Sequence, residues 1–168
     1  MLLIWPWLDV IDHFQLTHPQ APLVIISTAV FLCICYPSHN GVAATRADTI
    51  TILGSVSGAL CGFWVINRAG LVPDAVEPLG GVIAWPGWTG AGVMFLKYAF
   101  VQVLAIVVYL TTRAFLLQAI SVIFNIEINE NTKRLLFVEL PYRYITFLVL
   151  LFSVYTVGPM VFIKLGIQ

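Results

Sequence analysis

The stretch 49–66, TITILGSVSGALCGFWVI, decides the fold class of this chain. It carries no charged residue and is long enough to cross a bilayer as a helix, which takes about 17 to 25 apolar residues. Gly54, Gly58 and Gly62 recur at every fourth position, so on a helix they form one smooth stripe. Such a stripe lets a second helix approach closely inside a membrane. The stretch therefore predicts a buried membrane span with these three glycines as its packing face.

The composition of the whole chain agrees with a membrane protein. Of its 168 residues, 60% are hydrophobic and 10% are charged, and the mean hydropathy is +0.97. A soluble domain has roughly a quarter of its residues charged, so most of this chain must lie in lipid. Eight basic and eight acidic side chains cancel, which excludes the polycationic face of a nucleic-acid-binding protein.

Three further runs predict membrane helices, which gives four spans in a single transmembrane domain, residues 1–168. They are residues 22–36, 90–110 and 144–163. Residues 1–8 are apolar but short and predict only the remnant of a helix. After Arg113 an apolar face continues, so we expect an amphipathic helix that lies on the membrane; its residues are Leu116, Leu117, Ile120, Ile123 and Phe124. The predicted fold is an all-α, polytopic helical membrane protein.

Lys97 has two interpretations. It falls within residues 90–110, and a charge at the bilayer centre costs roughly 2.5 to 3.5 kcal/mol, so one interpretation is an ion or proton path. In the other, Lys97 lies near the end of the span and its side chain reaches the headgroups. A span shifted towards the C-terminus would instead contain Arg113.

The segment Thr45-Arg46-Ala47-Asp48 resembles a helix capping box at the start of the second span. Thr45 is the predicted N-cap, and Asp48 takes the third helical position in place of the usual glutamate. The cysteines, by contrast, predict no metal site, no disulfide and no cofactor. Cys33 and Cys35 are two residues apart and point to different sides of a helix, and Cys61 lies in another apolar run.

Pro37-Ser38-His39-Asn40 resembles a catalytic motif of the lipid phosphatases and related haloperoxidases. In that superfamily Pro-Ser-Gly-His supplies an acid histidine, and two arginine-bearing motifs supply the phosphate clamp and a nucleophilic histidine. Here the glycine is missing and the histidine comes one place early. All histidines precede Arg46, the first basic residue of the chain, so neither arginine-bearing motif is complete. We therefore predict no catalytic residue.

Two regions nevertheless resemble the non-catalytic half of the sphingosine-1-phosphate phosphatases. The first contains Tyr36-Pro37, Thr45-Arg46-Ala47-Asp48-Thr49 and Gly62-Phe63-Trp64-x-Ile66-Asn67. The second contains Glu139-Leu140-Pro141-Tyr142-Arg143-Tyr144-Ile145-Thr146 and Pro159-Met160. Residues 5–12 resemble the end of the helix that follows the third catalytic motif. The resemblance assigns no role to Thr45, Arg46 or Asp48.

The resemblance implies an enzyme that removes phosphate from sphingoid-base phosphates at the endoplasmic reticulum membrane without a metal ion. It places the phosphate-binding motifs before Met1, so the chain corresponds to the C-terminal membrane half and is expected to be inactive alone. An incomplete gene model, a splice product and a genuine short protein all fit this expectation.

Two other functions fit the residues. One is a small four-span scaffold or assembly partner without enzymatic activity, which would bind other membrane helices through the glycine stripe. The other is a transporter, which the one or two charges at membrane depth support weakly. Membrane lipids are expected partners in every case, and nucleic acid in none.

Overall fold

The computed structural model of the chain describes residues 5–35, 43–71, 87–125 and 136–164. These residues form five α-helices and no strand, which confirms the all-α prediction. The helices are α1 (Trp5–Thr17), α2 (Ala21–Cys35), α3 (Ala43–Arg68), α4 (Gly87–Phe124) and α5 (Leu136–Lys164).

Three helices in the described part of the chain, α3, α4 and α5, are long and apolar enough to cross a membrane. They contain the predicted spans 49–66, 90–110 and 144–163. α2 holds most of the remaining predicted span, 22–36, but its 15 residues rise only about 22 Å. That length is shorter than the roughly 30 Å hydrocarbon core of a bilayer. The described part of the chain thus has three full-length apolar helices and a shorter one, as expected for a helical membrane protein.

α5 is the central helix of the group. It packs against α3 over an extensive contact and against α4 elsewhere, while α3 also packs against α2 and α1. α4 has α5 as its main neighbour among the described helices, and much of its apolar surface is exposed. That exposure is expected for a helix whose side chains face lipid tails.

The glycine stripe of α3 faces α5. A Cβ atom added at Gly54 would lie 2.7 Å from the carbonyl oxygen of Tyr144, and one at Gly62 would lie 2.8 Å from the Cβ of Tyr155. At Gly58 it would overlap the carbonyl group of Leu148. Since real Cβ atoms essentially never come within 3.0 Å of other heavy atoms, only glycine permits this approach.

One boundary in each of two helices differs from the sequence prediction. α1 runs through Asp9 and Asp12 to Thr17 rather than ending near residue 8. α3 begins at Ala43, so Thr45 lies inside the helix and the capping-box prediction was wrong. The carbonyl of Thr45 accepts a hydrogen bond from the Thr49 hydroxyl at 2.9 Å, a bond typical of a helix interior.

The predicted amphipathic helix is the continuation of α4, which runs without a break to Phe124. Ile120 on its apolar face is buried, whereas Val122 and Ile123 are about three-quarters exposed, at 76% and 73%. The expected amphipathic extension after Arg113 is therefore part of α4 itself. Because its 38 residues rise about 57 Å, α4 is longer than a bilayer is thick and extends beyond the apolar region.

Two cationic residues of α4 lie over aromatic rings of α5. The Lys97 ammonium lies 5.6 Å from the Phe162 ring centroid, and the Arg113 guanidinium lies 5.9 Å from the Tyr142 ring centroid. Along α4 the helix rises about 24 Å from Lys97 to Arg113. Along α5 it rises about 30 Å from Tyr142 to Phe162. These lengths are close to the thickness of the hydrocarbon core, which favours the interface interpretation of Lys97.

Candidate functional site

A buried ion pair joins α3 to α5 at the candidate site. Arg46 donates from Nη2 to Oε2 of Glu139 at 2.6 Å, and the two side chains are only 11% and 6% exposed. The other carboxylate oxygen, Oε1, lies 3.3 Å from Nε of Arg143, one helical turn further along α5. Glu139 therefore lies between two guanidinium groups and connects the two regions of the family resemblance.

Arg143 also lines a cavity of about 370 Å³ between α3, α4 and α5. α3 and α4 flank α5 and approach each other little, which leaves this gap between them. Most of the lining side chains are polar, although the helices are otherwise apolar; they are Asp48, Thr51, Tyr109, Arg113, Tyr142, Arg143, Thr146 and Phe147.

Arg113 is held by aromatic side chains rather than by a carboxylate. Its Nη1 donates to the Tyr109 hydroxyl at 3.3 Å, and its guanidinium carbon lies 5.9 Å from both the Tyr109 and the Tyr142 ring centroids. Contact with ring faces stabilises a cation through the ring quadrupole. Among the described residues no acidic group forms an ion pair with Arg113.

The α3 side of the cavity offers hydrogen-bond acceptors. Thr51 donates its hydroxyl proton to the carbonyl of Ala47 at 2.9 Å, which leaves the lone pairs of its oxygen as acceptors. Asp48 is exposed and, within the described ranges, makes no ion pair. The cavity therefore combines positively charged donors on α4 and α5 with a carboxylate and a hydroxyl oxygen on α3.

The other half of the first resembling region holds α3 against the N-terminal helices. Trp64 donates from Nε1 to the carbonyl of His18 at 3.0 Å, and Asn67 donates from Nδ2 to the carbonyl of Leu16 at 3.1 Å. Nearer the middle of the membrane, the Tyr144 hydroxyl donates to Oγ of Ser57 at 3.1 Å. These residues connect helices, which is a structural role.

The structure places the three residues of the unassigned motif in different surroundings. Arg46 joins the ion pair, Asp48 lines the cavity and Thr45 is exposed. Sequence reasoning missed Arg113 and Arg143 as cavity residues, because a cation at the end of an apolar run is common at the membrane interface. His39 lies outside the described residues. Within those residues, no three His, Cys, Asp or Glu side chains come together as a metal site.

Comparison with known proteins shows that the chain is similar to sphingosine-1-phosphate phosphatases over most of its length. It is 30% identical over 146 residues to sphingosine-1-phosphate phosphatase 2 of Homo sapiens, covering 85% of this chain and 36% of that protein. It is 28% identical over 178 aligned positions to sphingosine-1-phosphate phosphatase 1 of Rattus norvegicus, covering 100% of this chain and 40% of the relative.

The resemblance deduced from the sequence motifs is thereby confirmed, and it is partial. The chain spans about two fifths of the length of the curated relatives that it matches, with the Mus musculus sphingosine-1-phosphate phosphatase 2 at 42%. No family profile matches the chain, and no solved structure does.

Proposed function

We propose that this chain, a relative of the sphingosine-1-phosphate phosphatases, forms the C-terminal membrane part of a lipid phosphatase of the endoplasmic reticulum. The whole enzyme would remove phosphate from sphingoid-base phosphates. The observation that carries this proposal is the similarity to those phosphatases over nearly the entire chain. The Arg46–Glu139 ion pair supports it, because it joins the two regions that carry the resemblance.

In this proposal the chain supports the catalytic part rather than doing chemistry. At one end α3 and α5 are joined by the Arg46–Glu139 ion pair. Along their middle they pack closely at the glycine stripe. Towards the other end the Phe63 and Tyr155 rings lie 4.7 Å apart. A pair of helices held at three levels is a rigid base on which further membrane helices can pack.

The scaffold alternative loses its main support in the structure. It relied on the glycine stripe as a contact surface for other proteins, and α5 of the same chain covers that stripe. Exposed apolar residues on α4 do not favour a scaffold, because lipid tails satisfy them equally well.

We expect the chain alone to release no phosphate from sphingosine-1-phosphate. Its sequence contains neither of the two complete arginine-bearing motifs that supply the phosphate clamp and the nucleophilic histidine for phosphoryl transfer in that superfamily. The test is an assay of the detergent-purified chain beside a heat-treated sample, with full-length Rattus norvegicus sphingosine-1-phosphate phosphatase 1 as the positive control. Turnover above the heat-treated sample would show that the chain carries its own active site.

Orientation provides a separate prediction. The family resemblance places the segment between α4 and α5 in the lumen, whereas the positive-inside rule, applied to Arg113, Arg134 and Arg143, places it in the cytosol. We favour the lumen, because Arg113 lies at the membrane edge. The substitution Lys133→Thr completes an Asn-x-Thr acceptor at Asn131 and should be glycosylated in microsomes. Modification of an acceptor appended to the C-terminus, without modification at Asn131, would invert the orientation.

A further inference from the structure

We propose that the cavity between α3, α4 and α5 binds a phosphate group with a neighbouring ammonium, the pair of charges in the headgroup of a zwitterionic phospholipid such as phosphatidylethanolamine. The residues that carry the proposal all belong to the part of the chain that the structure describes. It does not depend on the phosphatase activity of the proposed full-length enzyme, because a structural lipid would bind here in either case.

Two arginines provide the phosphate-binding side of the cavity. Arg143 contacts Glu139 through Nε, which leaves its two terminal nitrogens to donate to another acceptor, and its side chain is 39% exposed. Arg113 is positioned by Tyr109 and Tyr142 and has no acidic partner within the described residues. Guanidinium groups donate paired, charge-assisted hydrogen bonds to phosphate oxygens, so two that line one cavity, Arg113 from α4 and Arg143 from α5, can bind a phosphate between them.

Asp48 determines which kind of phosphate-containing headgroup the cavity prefers. Arg46 and Arg143 already engage both oxygens of Glu139, so among the described residues Asp48 is the carboxylate that remains available in the cavity lining. A carboxylate repels a phosphate that carries no compensating charge, but it attracts an ammonium next to that phosphate. The hydroxyl oxygen of Thr51 on the same helix adds an acceptor for the ammonium protons.

The position of the cavity is that of a lipid headgroup. Arg113 lies over the ring of Tyr142, near the N-terminal end of α5, and tyrosines such as Tyr109 and Tyr142 are typical of the membrane–water interface. The Phe147 ring lies 5.8 Å from that of Tyr109 and continues the lining with an apolar surface. A cavity of about 370 Å³ lies within the range of small-ligand sites, about 300 to 1,000 Å³.

The amount of lipid that stays bound to the purified chain is a direct measure of binding at this site. The full chain, purified in detergent, would be incubated with phosphatidylethanolamine, phosphatidylglycerol or free O-phosphoethanolamine, and bound ligand would be counted by native mass spectrometry. We expect one tightly held phosphatidylethanolamine, with at least tenfold weaker binding after Arg113→Gln. The matched control is Lys97→Gln, which removes a cation from the same helix at the opposite edge and should leave binding unchanged.

Asp48→Asn tests the ammonium contact without endangering the fold, since Asp48 is exposed. It should abolish the preference for phosphatidylethanolamine over phosphatidylglycerol. Equal losses in Arg113→Gln and Lys97→Gln, or an unchanged preference in Asp48→Asn, would overturn the proposal. Tight binding of free O-phosphoethanolamine would keep the site but assign its ligand to solution rather than to the membrane. Because the readout is bound ligand and not released phosphate, the result is independent of whether the parent enzyme is a phosphatase.

Discussion

The substitution Glu139→Gln is expected to destabilise the chain by about 3 to 5 kcal/mol, the usual cost of removing one partner of a buried ion pair. Arg46 and Glu139 are 11% and 6% exposed and lie 2.6 Å apart, so water screens their interaction weakly. Glutamine keeps the shape of the side chain but leaves the guanidinium groups without the neutralising charge. The loss would appear as a lower aggregation temperature of the detergent-purified protein in a thermal size-exclusion assay.

Arg143→Gln is the matched control, because Arg143 contacts the same carboxylate but is 39% exposed. A pair with that much solvent contact contributes about 0 to 1 kcal/mol. Replacing both Arg46 and Glu139 by methionine should restore much of the stability, since an apolar pair of similar volume removes the buried charges together. Equal losses in Glu139→Gln and Arg143→Gln would show that the buried pair is not the stronger contact.

The second large effect is expected for Gly58→Leu, which should cost about 1 to 3 kcal/mol, as overpacked cores do. Even the Cβ of the new side chain would overlap the carbonyl group of Leu148, so α5 would have to move away from α3. Such a movement would also weaken the contacts at Gly54 and Gly62, which lie on the same stripe. The measurement is protease resistance and thermal aggregation in detergent.

Two substitutions control for side-chain size and helix position. Gly92→Leu makes the same change on α4, where an added Cβ meets nothing within 4 Å, and should cost little. Leu60→Ile changes a residue outside the stripe of the same helix and should also be mild. If Gly58→Leu were as stable as Gly92→Leu, the close packing of α3 on α5 would be refuted.

The helices and their apolar character could be predicted from the sequence because each depends on a local run of residues. The stretch 49–66 lacks charge and falls inside α3, and the same holds for 144–163 in α5. The glycine spacing indicated a packing face for the same local reason. Its partner was not predictable, since nothing in residues 54–62 specifies the backbone of Tyr144 or Leu148.

The site was harder to predict because its contacts join residues far apart in the chain. In the sequence Arg46 belongs to a predicted capping box at the start of a span, outside the apolar run 49–66. The structure extends α3 past it to Ala43, because Glu139, 93 residues further along, neutralises it. In the same way Arg113 and Arg143 each resembled an ordinary interfacial cation. Only the packing of α4 and α3 on either side of α5 brings them to one cavity with Asp48.

The most direct test of the proposed function is a chimera in which this chain replaces the matching segment of Rattus norvegicus sphingosine-1-phosphate phosphatase 1. The expected result is a membrane-inserted chimera that releases phosphate from sphingosine-1-phosphate and is unaffected by His39→Ala. Glu139→Gln in the same chimera should lower the amount of folded, active protein, because it weakens the joint between α3 and α5. A folded chimera without phosphatase activity would contradict the proposed function, and so would one that His39→Ala inactivates.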